Sequence, residues 1–367
     1  MAARPDTNPA PFSGSYAPED VTFLLKPAAL APVDVATKEA LIQSGERHYS
    51  EMLSPEPPPS AEYLRLYEAA FERNGARLAQ DIVSLAGALA AHAAGRPEVV
   101  IASLARAGTP IGVLLRRALV RMGITSTHVS ISIIRDRGID REALRHIAAR
   151  HDPRDVVFVD GWTGKGAIAG ELRSSLADRP LGFEPFLAVV ADPAGCADLA
   201  ASHEDYLIPS GLLNAIVSGL VSRSILNDAL VGPGDFHACV YYSHLAKQDL
   251  SRVFVDRIDA MMSTMEPLPV ATDIELKRAR AAACSQMVFG LTRDMGSRDS
   301  NRIKPGVAEA TRAVLRRVPD RLLLRDPGDP DVAHLVHLAS ERGVPIEKLP
   351  AGNGYRAVAV IRTLGRD

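Results

Sequence analysis

The residues best suited to chemistry lie in a short polar loop that joins an apolar run to a helical pattern. Residues 156–159 are Val, Val, Phe and Val, which predict a buried parallel strand, and Asp160 follows at its carboxyl end. A glycine-rich turn comes next, and residues 167–172 have a helical pattern. A strand, turn and helix in this order point free N–H groups and the positive end of the helix dipole at one place, which suits a phosphate. We interpret Asp160 as an acceptor for the hydroxyls of a sugar whose 5′-phosphate the loop holds.

A second candidate loop follows the apolar run at residues 99–103, which predicts another buried strand. It contains a basic residue followed by small ones, namely Arg106, Ala107, Gly108 and Thr109. A cation beside exposed backbone amides suits a pyrophosphate group. The alternative is an ordinary strand–helix turn in which Arg106 makes a surface ion pair.

A third candidate loop is the charged segment 135–141, which follows a predicted strand at 128–134. Its two arginines, Arg135 and Arg137, are candidate residues of the site. A solvated charged loop is the alternative here. For the loop after Asp160, the alternative is a turn that binds no ligand.

The three loops in this order resemble those of type I phosphoribosyltransferases. In that family the pyrophosphate loop, the mobile lid and the acidic glycine-containing loop follow three successive strands. The resemblance implies that Asp160, Arg106, Arg135 and Arg137 act in catalysis. It implies that phosphoribosyl pyrophosphate is bound by Ala107, Gly108, Thr109, Gly161, Thr163, Gly164, Lys165 and Gly166. The sequence departs from the family at Gly161, where a second acid is usual. This departure favours a sensor that binds the ligand without turnover as an alternative.

Strands that alternate with helical stretches predict an α/β fold with a parallel, right-handed sheet. We predict helices at 38–53, 60–71 (with Ser60 as N-cap) and 77–94, and a last strand at 206–210. The domains predicted are a helical N-terminal section at 1–95, a phosphoribosyltransferase-like core and hood at 96–270, a linker helix at 271–300, and a small α/β domain at 301–367.

Bulk properties narrow the class of protein. The 367 residues carry a net charge of −2, which argues against a chain that coats nucleic acid or membrane as a whole. No run is apolar enough for a membrane span, and the first residues lack a signal-peptide core. Cys196, Cys239 and Cys284 show no metal-ligand spacing. We therefore expect a reduced, cytoplasmic protein without a structural zinc or a disulfide framework.

Nearly the whole chain resembles one bacterial family. The resemblance is carried by residues 12–16, 44–49 and the Gly-Asp-Phe-His turn at 234–237. The family comprises phosphoribosyltransferase-like proteins of tellurite-resistance and stress gene clusters, often labelled cysteine protease StiP. It implies a phosphoribosyltransferase-like domain followed by a PELOTA-type RNA-binding domain.

The C-terminal motif supports the second half of that resemblance. Lys304, Gly306, Glu309 and Arg312 match by type the helix start of kink-turn-binding ribosomal proteins, to which PELOTA domains are related. Ala308 replaces the asparagine that reads a base edge there. Residues 301–367 have a net charge of +4, so RNA contacts would be made mainly to phosphates. A domain used only for docking is the alternative.

The protease label points to Cys239, which lies two residues after His237. A catalytic cysteine needs a lowered pKa and an oriented base. A Cys and a His on one strand lack that arrangement, so we interpret Cys239 as a buried structural residue.

We therefore predict a phosphoribosyltransferase that uses Mg²⁺ with phosphoribosyl pyrophosphate and an unknown base-like acceptor. A non-catalytic sensor and a cysteine protease are the alternatives. Two further interactions are possible from the sequence: RNA binding by the C-terminal domain and formation of a homodimer.

Overall fold

A computed structural model describes residues 12–296 and 299–363. Its strands are β1 (Thr22–Phe23), β2 (Lys26–Pro27), β3 (Val99–Leu104), β4 (Ser126–Ile131), β5 (Ile133–Ile134), β6 (Gly138–Ile139), β7 (Val156–Trp162), β8 (Leu187–Ala191), β9 (Leu199–Ser202), β10 (Ala238–Cys239), β11 (Ile303–Pro305), β12 (Pro319–Leu324), β13 (Ile346–Lys348) and β14 (Ala357–Ile361). Its helices are α1 (Val35–Gln43), α2 (Ala61–His92), α3 (Gly108–Arg121), α4 (Arg141–Ala148), α5 (Ala167–Ser175), α6 (Ser251–Met262), α7 (Ile274–Asp294), α8 (Val307–Arg316) and α9 (Ala333–Glu341).

The larger sheet has six strands in the order β1-β4-β3-β7-β8-β9, and all its pairings are parallel. The Val- and Ile-rich runs of β3 and β7 lie in its centre, where both faces are covered. One apolar core lies under α2, α3 and α6, and a second lies under α4 and α5. The predicted mixed α/β fold with a parallel sheet is confirmed.

The two helices predicted at 60–71 and 77–94 are one helix, α2. Ser60 caps it as predicted and accepts a hydrogen bond from the Tyr63 N–H at 3.1 Å. Asn74 and Gly75 lie inside the helix and are buried. The Asn74 side chain donates hydrogen bonds to the Leu207 carbonyl and to Asp331, at 2.9 and 2.8 Å. The buried amide of Asn74 is therefore satisfied by tertiary contacts.

Two other predictions near the site were wrong. The helix expected over 38–53 is α1, which begins at Val35 and ends at Gln43. No strand forms at 206–210; a short 3-10 helix covers Pro209–Gly211, and β9 holds the outer place in the sheet. The Leu207 N–H is bonded to Asp331 at 3.3 Å, so this segment turns toward the C-terminal part of the chain.

The charged segment after β4 is the turn of a small hairpin. The strand predicted at 128–134 breaks after Ile131, and β5 then pairs antiparallel with β6. Asp136 in the turn has a left-handed φ of 67°. The hairpin therefore places Arg135 and Arg137 at opposite ends of a tight turn.

The C-terminal residues form a second sheet in the order β11-β14-β12-β13, with α8 and α9. Here β14 pairs antiparallel with β11 and β12, while β12 and β13 are parallel. The helix α7 joins this unit to the larger one. None of the described helices is both long and apolar enough to cross a membrane.

Candidate functional site

A cleft of about 300 Å³ lies between the carboxyl edge of the larger sheet and the C-terminal unit. Its floor is formed by the loops after β3 and β7 and by the hairpin at Arg135. Its roof is formed by β11 and α8. Both parts of the chain therefore build one site.

The cleft is strongly cationic. Of the described residues that line it, two carry carboxylates, Asp160 and Glu309. Nine have basic side chains: Lys38, Arg106, Arg135, Lys165, Arg223, Lys304, Arg312, Arg316 and Arg317. Because like charges repel strongly at low dielectric, such a surface favours binding of an anion.

Some of these cations are held by other groups of the protein. Arg106 forms an ion pair with Glu56 at 2.7 Å, and its side chain is 5% exposed. Arg317 is paired with Glu39. The Arg223 guanidinium donates to two backbone carbonyls and lies 5.0 Å from the centre of the Tyr49 ring. These contacts fix the direction of the side chains.

Two guanidinium groups that line the cleft are not fully satisfied. Arg312 Nε and Arg316 Nη2 are buried and have no hydrogen-bond partner within the described part of the chain. Burial lowers the pKa of Arg316, and the nearby Arg106 and Arg312 lower it further. The Arg312 guanidinium lies over the Trp162 ring, 4.5 Å from its centre. Buried donors without acceptors are costly, and an anion in the cleft would satisfy these two.

Three lysines in the cleft are also perturbed. Burial lowers the pKa of Lys38 to about 6, that of Lys304 to about 7 and that of Lys165 to about 8. Neighbouring arginines add to the effect in each case: Arg223 at Lys38, and Arg135 at both Lys165 and Lys304. A bound anion would favour the charged form of all three.

The loop after β7 has the predicted form, but other parts of the protein cover much of it. Asp160 lies at the cleft, and burial raises its pKa to about 7. Gly161 is the next residue of β7, and its N–H donates to the Asp160 carboxylate at 2.8 Å. Thr163 is buried and donates to Asp192. The Gly164 carbonyl accepts a hydrogen bond from the Tyr355 hydroxyl at 2.7 Å.

The two residues that end this loop also have protein neighbours. The Lys165 ammonium donates to the Ser300 carbonyl. Gly166 has a φ of 80°, and a side chain there would meet Cys196 Sγ at 2.5 Å. Glycine is therefore required at this turn by both backbone conformation and space.

The other two predicted loops reach the cleft in part. Ala107 lines it, whereas Gly108 packs against the Val159 carbonyl and Thr109 is buried against Ser130 at 2.8 Å. Arg135 lines the cleft, but Arg137 turns away and pairs with Glu51 at 3.3 Å. The structure thus brings Asp160, Arg106 and Arg135 to one site and leaves Arg137 outside it.

The residues predicted to bind RNA face the same cleft. Lys304, Glu309 and Arg312 line it, and Gly306 lies at the start of α8. The Val307 N–H, the first of that helix, donates to the carboxylate of Asp205 at 2.9 Å.

The cysteines are not poised as nucleophiles in this conformation. Burial raises the pKa of Cys239 to about 12, and burial and Asp192 do the same for Cys196. Burial also raises the pKa of Cys284, whose Sγ lies 2.8 Å from the Tyr355 hydroxyl oxygen. His237 near Cys239 is bonded to Ser132 at 2.7 Å. Cys239 is buried, as predicted.

Three further residues of the site, Lys38, Arg223 and Glu56, were missed by the sequence analysis. Lys38 and Arg223 line the cleft, and Glu56 pairs with Arg106. Arg223 lies in a segment of small polar residues, which was a usable signal for a pocket. No group of three or more His, Cys, Asp or Glu side chains suited to a metal occurs among the described residues. The Mg²⁺ expectation therefore stays a prediction.

Comparison with known proteins shows the family. Residues 14–259 match the sequence model of the family described as tellurite-like stress resistance cysteine protease StiP. Residues 282–363 match that of the PELOTA RNA binding domain. A relative from Acinetobacter baylyi, named cysteine protease StiP, is 45% identical, with 97% of this chain and 95% of that protein covered. The chain belongs to the StiP family, as the resemblance in its sequence predicted.

The functional prediction needs correction. The family description and the relative's name are those of a cysteine protease, so the predicted phosphoribosyltransferase activity is wrong. Hypoxanthine phosphoribosyltransferase structures from Trypanosoma cruzi are similar to part of the chain. One is 17% identical, covers 35% of this chain and 80% of its own, and gives a TM-score of 0.29; another is 16% identical, covers 47% and 83%, and gives 0.28. Likeness at this level carries no argument about function.

Proposed function

We propose that the cleft binds a small anionic ligand that carries phosphate groups, without transferring them. The observation that carries this proposal is the pair of buried guanidinium nitrogens, Arg312 Nε and Arg316 Nη2, that lack a hydrogen-bond partner in the described structure. Buried polar atoms of this kind are rare in native proteins, because each costs about 1–3 kcal/mol. An anion in the cleft would satisfy both.

Phosphate suits this site better than a single carboxylate. Cations reach the cleft from α1, from the loops of the larger sheet and from α8. Guanidinium groups bind phosphate oxygens through paired N–H donors, and a group with several charged oxygens can engage more than one of them. The N-terminus of α5 also lies at the floor of the cleft, where Ala167 lines it. We also propose that the larger sheet has the arrangement of a phosphoribosyltransferase fold, without that enzyme's activity.

Calorimetric titration with inorganic pyrophosphate tests the proposal. Wild-type protein should bind it, and a double variant, Lys165→Gln with Arg316→Met, should bind at least 100-fold more weakly. The matched control is Arg252→Gln with Lys348→Gln, which removes the same charge from exposed positions. The proposal of a specific site would be contradicted if wild-type protein did not bind pyrophosphate, or if both double variants lost affinity equally. The same titration with Mg²⁺ tests the predicted cofactor, which should increase affinity.

A cysteine-dependent peptidase is the second candidate, and the family description and the Acinetobacter relative's name favour it. The matched residues 14–259 include Cys196 and Cys239. Cys196 is the partly exposed one, and its Sγ lies beside Gly166 at the N-terminus of α5. A helix N-terminus stabilises a thiolate, so we assign the nucleophile of this candidate to Cys196. With a thiol pKa of about 12, the described conformation would have to open before this residue could react.

Casein hydrolysis by the purified chain tests this candidate. Cys196→Ala should abolish hydrolysis, while Cys239→Ala and Cys284→Ala should retain it at comparable folded fractions. Activity that survives Cys196→Ala excludes this residue as the nucleophile. If the wild-type protein does not hydrolyse casein, with or without pyrophosphate, the peptidase function is excluded and only the binding function remains.

A further inference from the structure

The helix start predicted to meet RNA is already capped by the first part of the chain. Asp205 accepts hydrogen bonds from the Val307 N–H at 2.9 Å and from the Arg356 N–H at 2.7 Å. A side chain at Gly306 would meet the same carboxylate at 3.3 Å. Since the first amide of α8 already donates to a protein carboxylate, that amide is not available to an RNA phosphate.

The side chains on that surface are covered as well. A side chain at Gly164 would lie 2.8 Å from Glu309 Cγ and 3.3 Å from the Pro305 carbonyl, so the loop after β7 touches β11 and α8 directly. The Arg312 guanidinium packs on Trp162. The surface predicted for RNA therefore faces the inside of the cleft.

Contacts on both sides of the cleft hold the two parts together. On one side Arg317 pairs with Glu39, and the Gln43 amide donates to the Arg362 carbonyl at 2.9 Å. On the other, Asn74 donates to Asp331 at 2.8 Å, and Arg73 donates to the Pro330 carbonyl at 3.1 Å. The C-terminal unit is thus docked, and a cleft of about 300 Å³ has room for a metabolite.

We propose that the C-terminal unit is the roof of the anion site and contributes Lys304, Arg312 and Arg316 to the ligand. The surface formed by Lys304, Gly306, Glu309 and Arg312 then does not bind RNA. This inference rests on the proposed binding function, and it extends that function to the part of the chain that matches an RNA-binding domain. The ligand bridges both parts of the chain.

The test uses full-length protein, pyrophosphate in calorimetry and a labelled RNA stem–loop in anisotropy at low salt. Lys304→Gln and, separately, Arg316→Met should each weaken pyrophosphate binding at least 10-fold. Lys348→Gln, on the exposed strand β13, should leave it unchanged. Stem–loop RNA should not bind, or should bind equally well to wild type and Lys304→Gln. Thermal unfolding of each variant shows whether it is folded.

The outcomes separate this inference from the function on which it rests. If wild type does not bind pyrophosphate, the binding function fails. A second outcome is that wild type binds pyrophosphate and Lys165→Gln weakens binding, but Lys304→Gln and Arg316→Met do not. In that case the C-terminal unit does not contribute to the ligand site, while the proposed binding function stands. RNA binding that is lost in Lys304→Gln and kept in Lys348→Gln would also contradict the inference, because the surface at Lys304 would then bind RNA.

Discussion

Replacement of Arg316 by methionine should make the ligand-free protein more stable while it impairs ligand binding. The Arg316 guanidinium lies among Arg106, Arg312 and Arg223, and Glu56 is the acid that offsets their charge. That carboxylate already accepts hydrogen bonds from Arg106 at 2.7 Å and from the Ala215 N–H. Arg316 Nη2 is left buried without a hydrogen bond in the described structure.

The magnitude follows from that unpaired donor. A buried polar group without a partner costs about 1–3 kcal/mol, and methionine removes it while keeping much of the apolar stem. The free energy of unfolding should therefore rise by about 1–3 kcal/mol. A hydrogen bond to a charged group contributes about 1.5–3 kcal/mol, so pyrophosphate affinity should fall about 10- to 150-fold.

Urea unfolding in phosphate-free buffer measures the first effect, and calorimetry measures the second. Arg252→Met, at an exposed position of α6, is the control and should change neither quantity. A decrease in the stability of ligand-free Arg316→Met, or unchanged affinity for pyrophosphate, would refute the reasoning that Arg316 is held unpaired for a ligand.

Three further predictions concern pH, the domain contact and the turn at Gly166. Pyrophosphate affinity should fall as pH rises from 6 to 8, because the pKa values of Lys38 and Lys304 are about 6 and 7 in the free protein and a bound anion favours their charged forms. Calorimetry in two buffers of different ionisation enthalpy should show that protons are taken up on binding. Binding without proton uptake would exclude a role for these lysines in the site. Asp205→Ala should lower stability by about 1–2 kcal/mol through loss of the α8 cap, seen in urea unfolding, whereas an unchanged midpoint would mean that the cap contributes nothing. Gly166→Ala should cost about 1–3 kcal/mol, part of it strain at positive φ; thermal unfolding should show a smaller loss in a Cys196→Ala background, and an equal loss would leave backbone strain as the whole cause.

The strands of the larger sheet could be predicted because their cause is local. Runs such as residues 156–159 are apolar and β-branched, and such runs form buried parallel strands wherever they occur. The unbroken helix α2 could not be predicted, since what allows Asn74 in its interior is a hydrogen bond to Asp331, 257 residues further on. Local pattern contains no information about such a partner.

Separate loops of the site could be predicted, but not that the two parts of the chain meet to build one cleft. Asp160 and Lys165 were found because strand, turn and helix are contiguous, whereas Arg316 and Lys38 meet them only after the two parts of the chain dock. The reaction was inferred wrongly for a related reason. A glycine-rich turn beside an acid indicates where an anion and a hydroxyl can bind, but it does not specify which bond is broken.

The carboxylate of Asp205 has a consequence for how this chain can evolve. Its two amide donors, at Val307 and Arg356, belong to the C-terminal unit, 102 and 151 residues further along the chain. A recombination event that exchanged the C-terminal unit for an unrelated one would leave a buried acid in the first part with no donors. The two halves are therefore constrained to be inherited together, which agrees with a bacterial relative that is similar along 97% of the chain.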